Sequence, residues 1–224
     1  MNFLITESEN YSRKAIELYK KLGNVWLEEV PKGFEKEVEI LVVRLANTID
    51  EKYLSLYPKV RGVITPTTGL THIDVDFCKA RGIEVYSLQL CKEAIEKVTS
   101  TSELTLGLIL SLLRRIPQAH HSVVEEGKWD RDAFRSRQLS NLSLGIIGLG
   151  RIGGHLAAYA QALGMKVYAC DPYKPDSRFD DLEVKRCHLH ELLSKVDIVS
   201  INANLTDENH NLVGQREVGL MTSG

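Results

Sequence analysis

Cysteine is sparse in this chain of 224 residues. The four present, Cys78, Cys91, Cys170 and Cys187, show no paired spacing. That excludes a disulfide scaffold and makes reduced, mostly buried thiols of a cytosolic protein the expectation. An excess of either charge is missing too: 28 Lys and Arg stand against 30 Asp and Glu, a formal net charge of −2. No general attraction to nucleic acid or to an anionic membrane follows. The mild basic clusters, Arg114-Arg115 and Lys128 to Arg137, read as solvated faces. Long hydrophobic runs are absent, since the longest, Leu104 to Leu113, is too short to span a bilayer. The first residues, Met1 to Ser8, carry neither the cationic start nor the apolar stretch of a signal peptide. Repeats and low-complexity tracts are likewise missing. A cytoplasmic location is expected, with no nucleic-acid and no membrane partner.

What is there is more specific. Apolar residues make up 43% of the chain, enough for a real core, and the length allows one large or two small domains. Leu144-Gly-Ile-Ile-Gly-Leu-Gly-Arg-Ile-Gly153 is an apolar run that turns into a helical pattern with glycines at 148, 150 and 153. A bare GxGxxG is a weak signal. Here it follows a strand-like segment, opens a helix, and is followed 18 residues after Gly153 by Asp171, at the end of the next strand-like run Lys166 to Cys170. This is the pattern of a dinucleotide-binding βαβ unit. Gly148 allows the tight turn, Gly150 lets backbone approach a diphosphate, and Gly153 lets the helix pack on the strand. The first N–H groups of the helix, those of Arg151 and Ile152, are expected to face phosphate oxygens. Asp171 is suited to accept from both ribose hydroxyls, which favours NAD over NADP, although Arg178 lies close in sequence. A glycine-rich turn without a ligand is the plainer reading. Methyltransferases that bind S-adenosylmethionine also use such a turn, but they seat no diphosphate on the helix.

The first part of the chain alternates strand and helix signals. Strands are expected at Phe3–Thr6, Glu39–Val43, Gly62–Thr65 and Ile83–Tyr86, and helices at Tyr11–Leu22 and Asp74–Arg81, stopped by Gly23 and Gly82. The rhythm predicts an α/β protein with parallel sheets covered by helices on both faces. Ser100-Thr-Ser-Glu103 matches a capping box for a long helix that is apolar almost all round, and so expected to be buried, until Pro117 kinks or ends it. A polar stretch, His120 to Asn141, leads to the glycine-rich unit. Beyond it, His190–Lys195 reads as a helix, Asp197–Ile201 as a third strand of that unit, and 206–221 as short helices or turns. The domain boundary is expected near residue 96, giving domains 1–95 and 96–224.

Four stretches together resemble the NAD-dependent D-isomer-specific 2-hydroxyacid dehydrogenases, the family that includes phosphoglycerate dehydrogenase. Thr67-Thr-Gly-Leu-Thr-His-Ile-Asp74 is similar to the family's substrate loop. Ser102 to Leu110, with Arg115-Ile-Pro-Gln-Ala119 and Gly127-Lys-Trp129, resembles its interdomain helix and arm. Leu144 to Asp171-Pro172 resembles the cofactor signature, and Asp197 to Asn211 the strand and loop beside the nicotinamide. The resemblance implies a flavodoxin-like substrate domain, a Rossmann NAD-binding domain, and hydride transfer between NAD(H) and a 2-hydroxy or 2-oxo acid. By resemblance, Thr68 and Gly69 would hold the substrate carboxylate, with Thr68 near the cofactor and Arg44 near the substrate. Gly148, Gly150, Arg151, Ile152, Gly153, Asp171, Pro172, Ala203 and Asn204 would line the NAD site. The family's dimer contact would use the arm from about Pro117 to Arg137, making a homodimer.

Departures from the family pattern matter as well. The family's carbonyl-polarising arginine and its histidine–glutamate proton carrier match no position up to Gly224. The chain therefore reads as incomplete toward its C-terminus, with only the first half of the Rossmann domain, and as inactive alone. A non-catalytic NAD-binding or dimerising module is the alternative, and the coding DNA beyond Gly224 discriminates the two. Asn202-Ala-Asn204 stands where the family usually has His-x-Pro, and Pro66 where phosphoglycerate dehydrogenases carry a second arginine. Among the histidines, His72 lies in the substrate loop, yet a surface or helix-capping role is the plainer expectation. Cys187, His188 and His190 read as a strand end running into a helix, and no metal site is expected there. His120 and His121 are expected to be solvated.

Overall fold

The computed structural model of the protein describes residues 1–222. The chain divides into two compact units, Met1–Lys97 and a second from Val98 onward. Each is built on one all-parallel sheet.

The first unit contains β1 (Asn2–Ile5), α1 (Arg13–Leu22), β2 (Asn24–Leu27), β3 (Ile40–Val42), α2 (Glu51–Leu54), β4 (Gly62–Thr65), α3 (Val75–Ala80), β5 (Glu84–Ser87) and α4 (Lys92–Glu96). Its strand order is β2-β1-β3-β4-β5, all parallel, the flavodoxin-like arrangement. Alternation along the strands splits the core. Leu4, Leu41 and Val63 point to the face covered by Leu54 of α2 and Phe77 and Cys78 of α3. Phe3, Ile5 and Val42 point to the face covered by Ile16 and Tyr19 of α1. Each such side chain contributes roughly 1.5–3 kcal/mol by leaving water. The short helices start where Asp side chains accept an orphan N–H: Asp50 from Tyr53 at 2.8 Å and Asp74 from Phe77 at 2.9 Å. The sequence reading missed β2, α2 and the short α4. Strand β2 is a half-exposed edge strand of only four residues that follows α1 directly after Gly23, and α2 is a single turn.

The second unit contains α5 (Ser100–Leu113), α6 (Ile116–Val124), β6 (Ser143–Ile147), α7 (Arg151–Ala162), β7 (Lys166–Cys170), α8 (Asp176–Asp181), β8 (Lys185–Arg186), α9 (Leu189–Lys195), β9 (Ile198–Ile201) and α10 (Gln215–Val218). The order β8-β7-β6-β9, again parallel, is the 3-2-1-4 half of a Rossmann sheet. Strand β6 is buried at every residue, as a central parallel strand should be. Among the described residues, no helix is long and apolar enough to cross a membrane.

Three local expectations are corrected here. Ser100 does not cap α5; Thr99 is the cap residue, and its hydroxyl meets the Glu103 carboxylate directly. Pro117 does not end α5. That helix stops at Leu113, Arg115 turns left-handed with φ 49°, and Pro117 sits in the first turn of α6, where a missing N–H costs nothing. Nor is α5 buried all round. Ser102 and Ile109 are buried and Leu106 and Leu113 pack on the core, but Leu104, Leu108 and Leu112 are 63%, 61% and 78% exposed. The reason is geometric: the core of one unit can cover only one stripe of a helix.

Candidate functional site

Ligands of open parallel sheets sit beyond the carboxyl ends of the strands, where the strand order reverses. In the second unit that point lies between β6 and β9. The turn leaving β6 occupies it. Gly148 has φ +92°, and its N–H donates to Cys170 O at 2.9 Å. A Cβ there would stand 2.7 Å from the Ala203 nitrogen, so the loop after β9 is pressed against this glycine. Gly153 is equally constrained, since a Cβ would stand 2.2 Å from the Gly148 carbonyl oxygen. Gly150 is the opposite case, with no atom within 4 Å of its missing Cβ. Its backbone therefore faces open space at the tip of α7. The Arg151 guanidinium is turned onto the Val98 carbonyl. What Arg151 and Ile152 present at the tip is the positive end of a helix 12 residues long with unpaired first N–H groups.

Asp171 follows β7 and aims at this turn. Its Oδ2 accepts the Leu149 N–H at 2.8 Å and its Oδ1 accepts the Tyr173 N–H at 3.0 Å. Two backbone donors thus fix the carboxylate beside the glycines, with lone pairs to spare. Pro172, between Asp171 and Tyr173, is exposed. The Arg178 guanidinium is drawn toward the carbonyls of Leu149 and Gly150, each at 3.5 Å, and lies against Gly154. Across the turn, the Tyr173 hydroxyl donates to Glu208, joining the loop after β7 to the loop after β9. The carbonyl of Asn204 in that second loop is held by the Asn209 side chain. Sequence reasoning missed Tyr173 and Glu208, because nothing in the spacing signals a contact between residues 35 apart.

The first unit builds its strand-end edge differently. Its order reverses between β1 and β3. Glu7, just after β1, accepts N–H groups from Arg44, Leu45 and Ala46 at 3.0, 3.2 and 3.2 Å. Arg44 is exposed, and its guanidinium donates to the Glu9 carbonyl at 3.2 Å. Beyond β4, Thr65 and Thr67 hydroxyls meet at 2.9 Å, and Thr67 donates to the Gly69 carbonyl at 2.8 Å. The Thr68 carbonyl accepts from Gln89, and no atom approaches the missing Cβ of Gly69 within 4 Å. Arg44, Thr68 and Gly69 therefore end on neighbouring strands of one edge. Glu7 was not foreseen.

His72 is neither at the surface nor a cap. It is 8% exposed, with Nε2 3.4 Å from Thr65 Oγ1 and with Nδ1 buried and unpartnered. Burial holds its pKa below the usual histidine value, with Glu7 pulling the other way. The residue packs inside the loop, and Asp74 does the capping. His190 pairs with Glu217 at 3.3 Å, and Cys187 packs in the cluster under α9. Of the cysteines, Cys78 is buried but Cys91 is exposed, so the expectation of mostly buried thiols holds only for part of the set.

A flavodoxin-ordered sheet and a Rossmann half-sheet with its glycine turn and braced acid define an α/β protein of the dinucleotide-binding class. The chain belongs to the D-isomer specific 2-hydroxyacid dehydrogenases. Residues 4–102 match the catalytic domain of that family and residues 106–224 match its NAD binding domain. The chain is 31% identical over 216 residues to D-3-phosphoglycerate dehydrogenase of Methanocaldococcus jannaschii, covering 92% of this chain and 40% of the relative. It is 32% identical over 188 residues to hydroxypyruvate reductase of Thermotoga maritima, covering 84% and 58%. A solved D-lactate dehydrogenase from Aquifex aeolicus, complexed with NAD and lactic acid, matches with a TM-score of 0.84 and 27% identity, over 100% of this chain and 67% of that one. The chain thus spans about half the length of these curated relatives.

Proposed function

We propose that the protein acts in hydride transfer between NAD(H) and a small 2-hydroxy or 2-oxo acid. The observation that carries this reading is the Asp171 carboxylate, braced by two backbone N–H groups beside an open glycine and a free helix tip. NAD fits these residues: a diphosphate needs the space at Gly150 and the N–H groups of Arg151 and Ile152, and an adenosine ribose needs an acceptor fixed next to them. Gly148 and Gly153 shape the turn, Pro172 carries the chain away from Asp171, and Ala203 and Asn204 bound the crevice on the β9 side. When bound, NAD supplies the carbon that gives or takes hydride. The acidic side chain at 171 also repels a 2′-phosphate, which favours NAD over NADP, and Arg178 is engaged with loop carbonyls instead.

The first unit is the acid-binding domain in this reading. Backbone amides of Thr68 and Gly69 hold the substrate carboxylate, and Arg44 lies at the same edge with its charge exposed. Pro66 contributes no second cation, so a substrate phosphate is not favoured. No residue here is assigned as the proton carrier. His72 is buried and neither ring nitrogen is hydrogen-bonded to a carboxylate, and the family's arginine and histidine–glutamate pair match nothing up to Gly224. The 224 residues alone are therefore expected to show no turnover with NADH and any 2-oxo acid; activity that follows the purified chain would overturn that.

The exposed apolar stripe of α5, with the arm through Trp129, which is 86% exposed, supports a homodimer. Light scattering at micromolar concentration tests it, and a clean monomer counts against it. Calorimetry tests the NAD site. Asp171→Ala should weaken NAD binding roughly 10- to 100-fold, since it removes charge-assisted bonds. Arg151→Ala should change it less than about threefold, because that residue acts through its backbone. The opposite order would overturn the assignment.

A further inference from the structure

Cys170 and Cys187 are half-buried thiols that take no part in the site above. Cys170 closes β7, and Cys187 directly follows β8. The parallel register pairs Tyr168 with Lys185 and Ala169 with Arg186. The ladder runs one residue further, because the Cys187 N–H donates to Ala169 O at 2.9 Å. Cys170 and Cys187 are therefore register partners, and partners leave a sheet on the same face. Two contacts fix which residues share a face. The Lys185 ammonium lies 5.7 Å from the Tyr168 ring centroid. Arg186 lies 5.0 Å from that of Phe179, which belongs to the core on the other side. Both thiols accordingly join Tyr168 and Leu189 in the cluster packed under α9. Neighbouring strands run about 4.8 Å apart, inside the range of roughly 4.4–6.8 Å between Cα atoms that a disulfide spans.

We propose that Cys170 and Cys187 are a reversible dithiol–disulfide pair, oxidised by small-molecule disulfides, that ties the edge strand β8 to β7 and shifts the seat of Asp171. The Cys187 thiolate attacks one sulfur of the small disulfide and releases one small thiolate. The Cys170 thiolate then attacks the Cys187 sulfur of the mixed disulfide and releases the second. Two protein thiols are oxidised, one small disulfide is reduced to two thiols, and the two protons lost by the protein end on those thiols. Cys187 is the first nucleophile because it follows the edge strand β8, whereas Cys170 ends the inner strand β7. The charges do not separate them, since Glu191 opposes Lys185 and Lys195 at Cys187 and Asp171 opposes Arg186 at Cys170. Burial pushes both thiols above their usual range, so the reaction is slow and needs excess oxidant.

The link to Asp171 is covalent and short. Asp171 is the next residue after Cys170, whose carbonyl holds the Gly148 N–H. A disulfide draws the two Cβ atoms to about 3.8 Å, roughly 1 Å closer than the strand spacing. Strand β8 has only two residues and yields most, but the end of β7 moves with it. The coupling to NAD rests on the reading that Asp171 holds the ribose.

The test uses the full chain with Cys91→Ser, which removes the exposed thiol, treated with excess oxidised glutathione. Non-reducing peptide mapping should find Cys170 linked to Cys187. Calorimetry should find NAD binding weaker by about 3- to 10-fold, recovered by dithiothreitol. Adding Cys187→Ser should keep the affinity of the reduced protein and abolish the response. Stable glutathione adducts, or a link through Cys78, would overturn the pair. Complete cross-linking with unchanged affinity would overturn the coupling. If the reduced protein binds no NAD, the ribose reading and the coupling both fall, and the peptide map still judges the cross-link.

Discussion

The two parallel sheets present the same edge, their strand carboxyl ends, but furnish it with different atoms. In the second unit the edge is made of backbone: a turn of three glycines, the first N–H groups of α7, and one carboxylate held by the N–H groups of Leu149 and Tyr173. In the first unit it is made largely of side chains: Glu7 gathering three N–H groups after β3, Thr67 bracing Gly69, and a buried His72 behind them. A backbone cradle suits a ligand part that never varies, such as a diphosphate. A side-chain edge can be changed one residue at a time, which suits a domain whose relatives act on phosphoglycerate, hydroxypyruvate and lactate.

Glycine substitution is the strongest way to break this contrast. Gly153→Ala places a Cβ 2.2 Å from the Gly148 carbonyl, so it should destabilise the second unit by about 3 kcal/mol and abolish NAD binding. Gly69→Ala meets nothing within 4 Å and should change the stability of the first unit by less than about 0.5 kcal/mol. Thermal denaturation decides between them; equal losses would mean that both edges depend on close backbone approach. Glu7→Ala comes next. It removes the acceptor of three exposed N–H groups and should cost the first unit about 1 kcal/mol, with NAD affinity in calorimetry unchanged.

The smallest effect concerns a device that the two units share at the opposite edge. Glu39, just before β3, accepts the N–H of Asn2 at the start of β1, at 2.9 Å. Asp197, just before β9, accepts the N–H of Ser143 at the start of β6, also at 2.9 Å. These N–H bonds are the leading reason that both carboxyls titrate below their ordinary values; Arg61 helps Glu39, and the Ser143 hydroxyl and Arg137 help Asp197. A lowered folded pKa means stability that is fully present above the unfolded value, about 4, and lost as pH falls through the folded value. Denaturation midpoints should therefore fall below about pH 4, and Asp197→Asn should flatten that slope for the second unit while leaving the first unit's slope intact.

The legible part of the site followed the same contrast. Gly148, Gly150, Gly153 and Asp171 could be brought to one turn from spacing because a local βαβ segment fixes their geometry, and a Cβ at Gly148 or Gly153 would meet backbone there. Glu7 stands 37 residues before Arg44, its first N–H donor, and Tyr173 stands 35 before Glu208. No periodicity connects such pairs; only strand order does. The all-round apolarity of α5 was read as full burial, yet its Leu104, Leu108 and Leu112 face outward. Hydropathy records that a face avoids water, not which body covers it.

By itself the sequence determined the local chemistry: where glycines permit backbone to turn or approach, where an acid ends a strand, and where apolar alternation marks a buried sheet. Those features depend on a few consecutive residues and their dihedral freedom. The tertiary structure alone decided which distant ends became neighbours, putting Glu7 under Arg44, Cys170 beside Cys187 and His72 out of reach of water. Parallel strands gain their partners only through crossover connections, so adjacency in the sheet is a property of the whole fold and not of any segment within it.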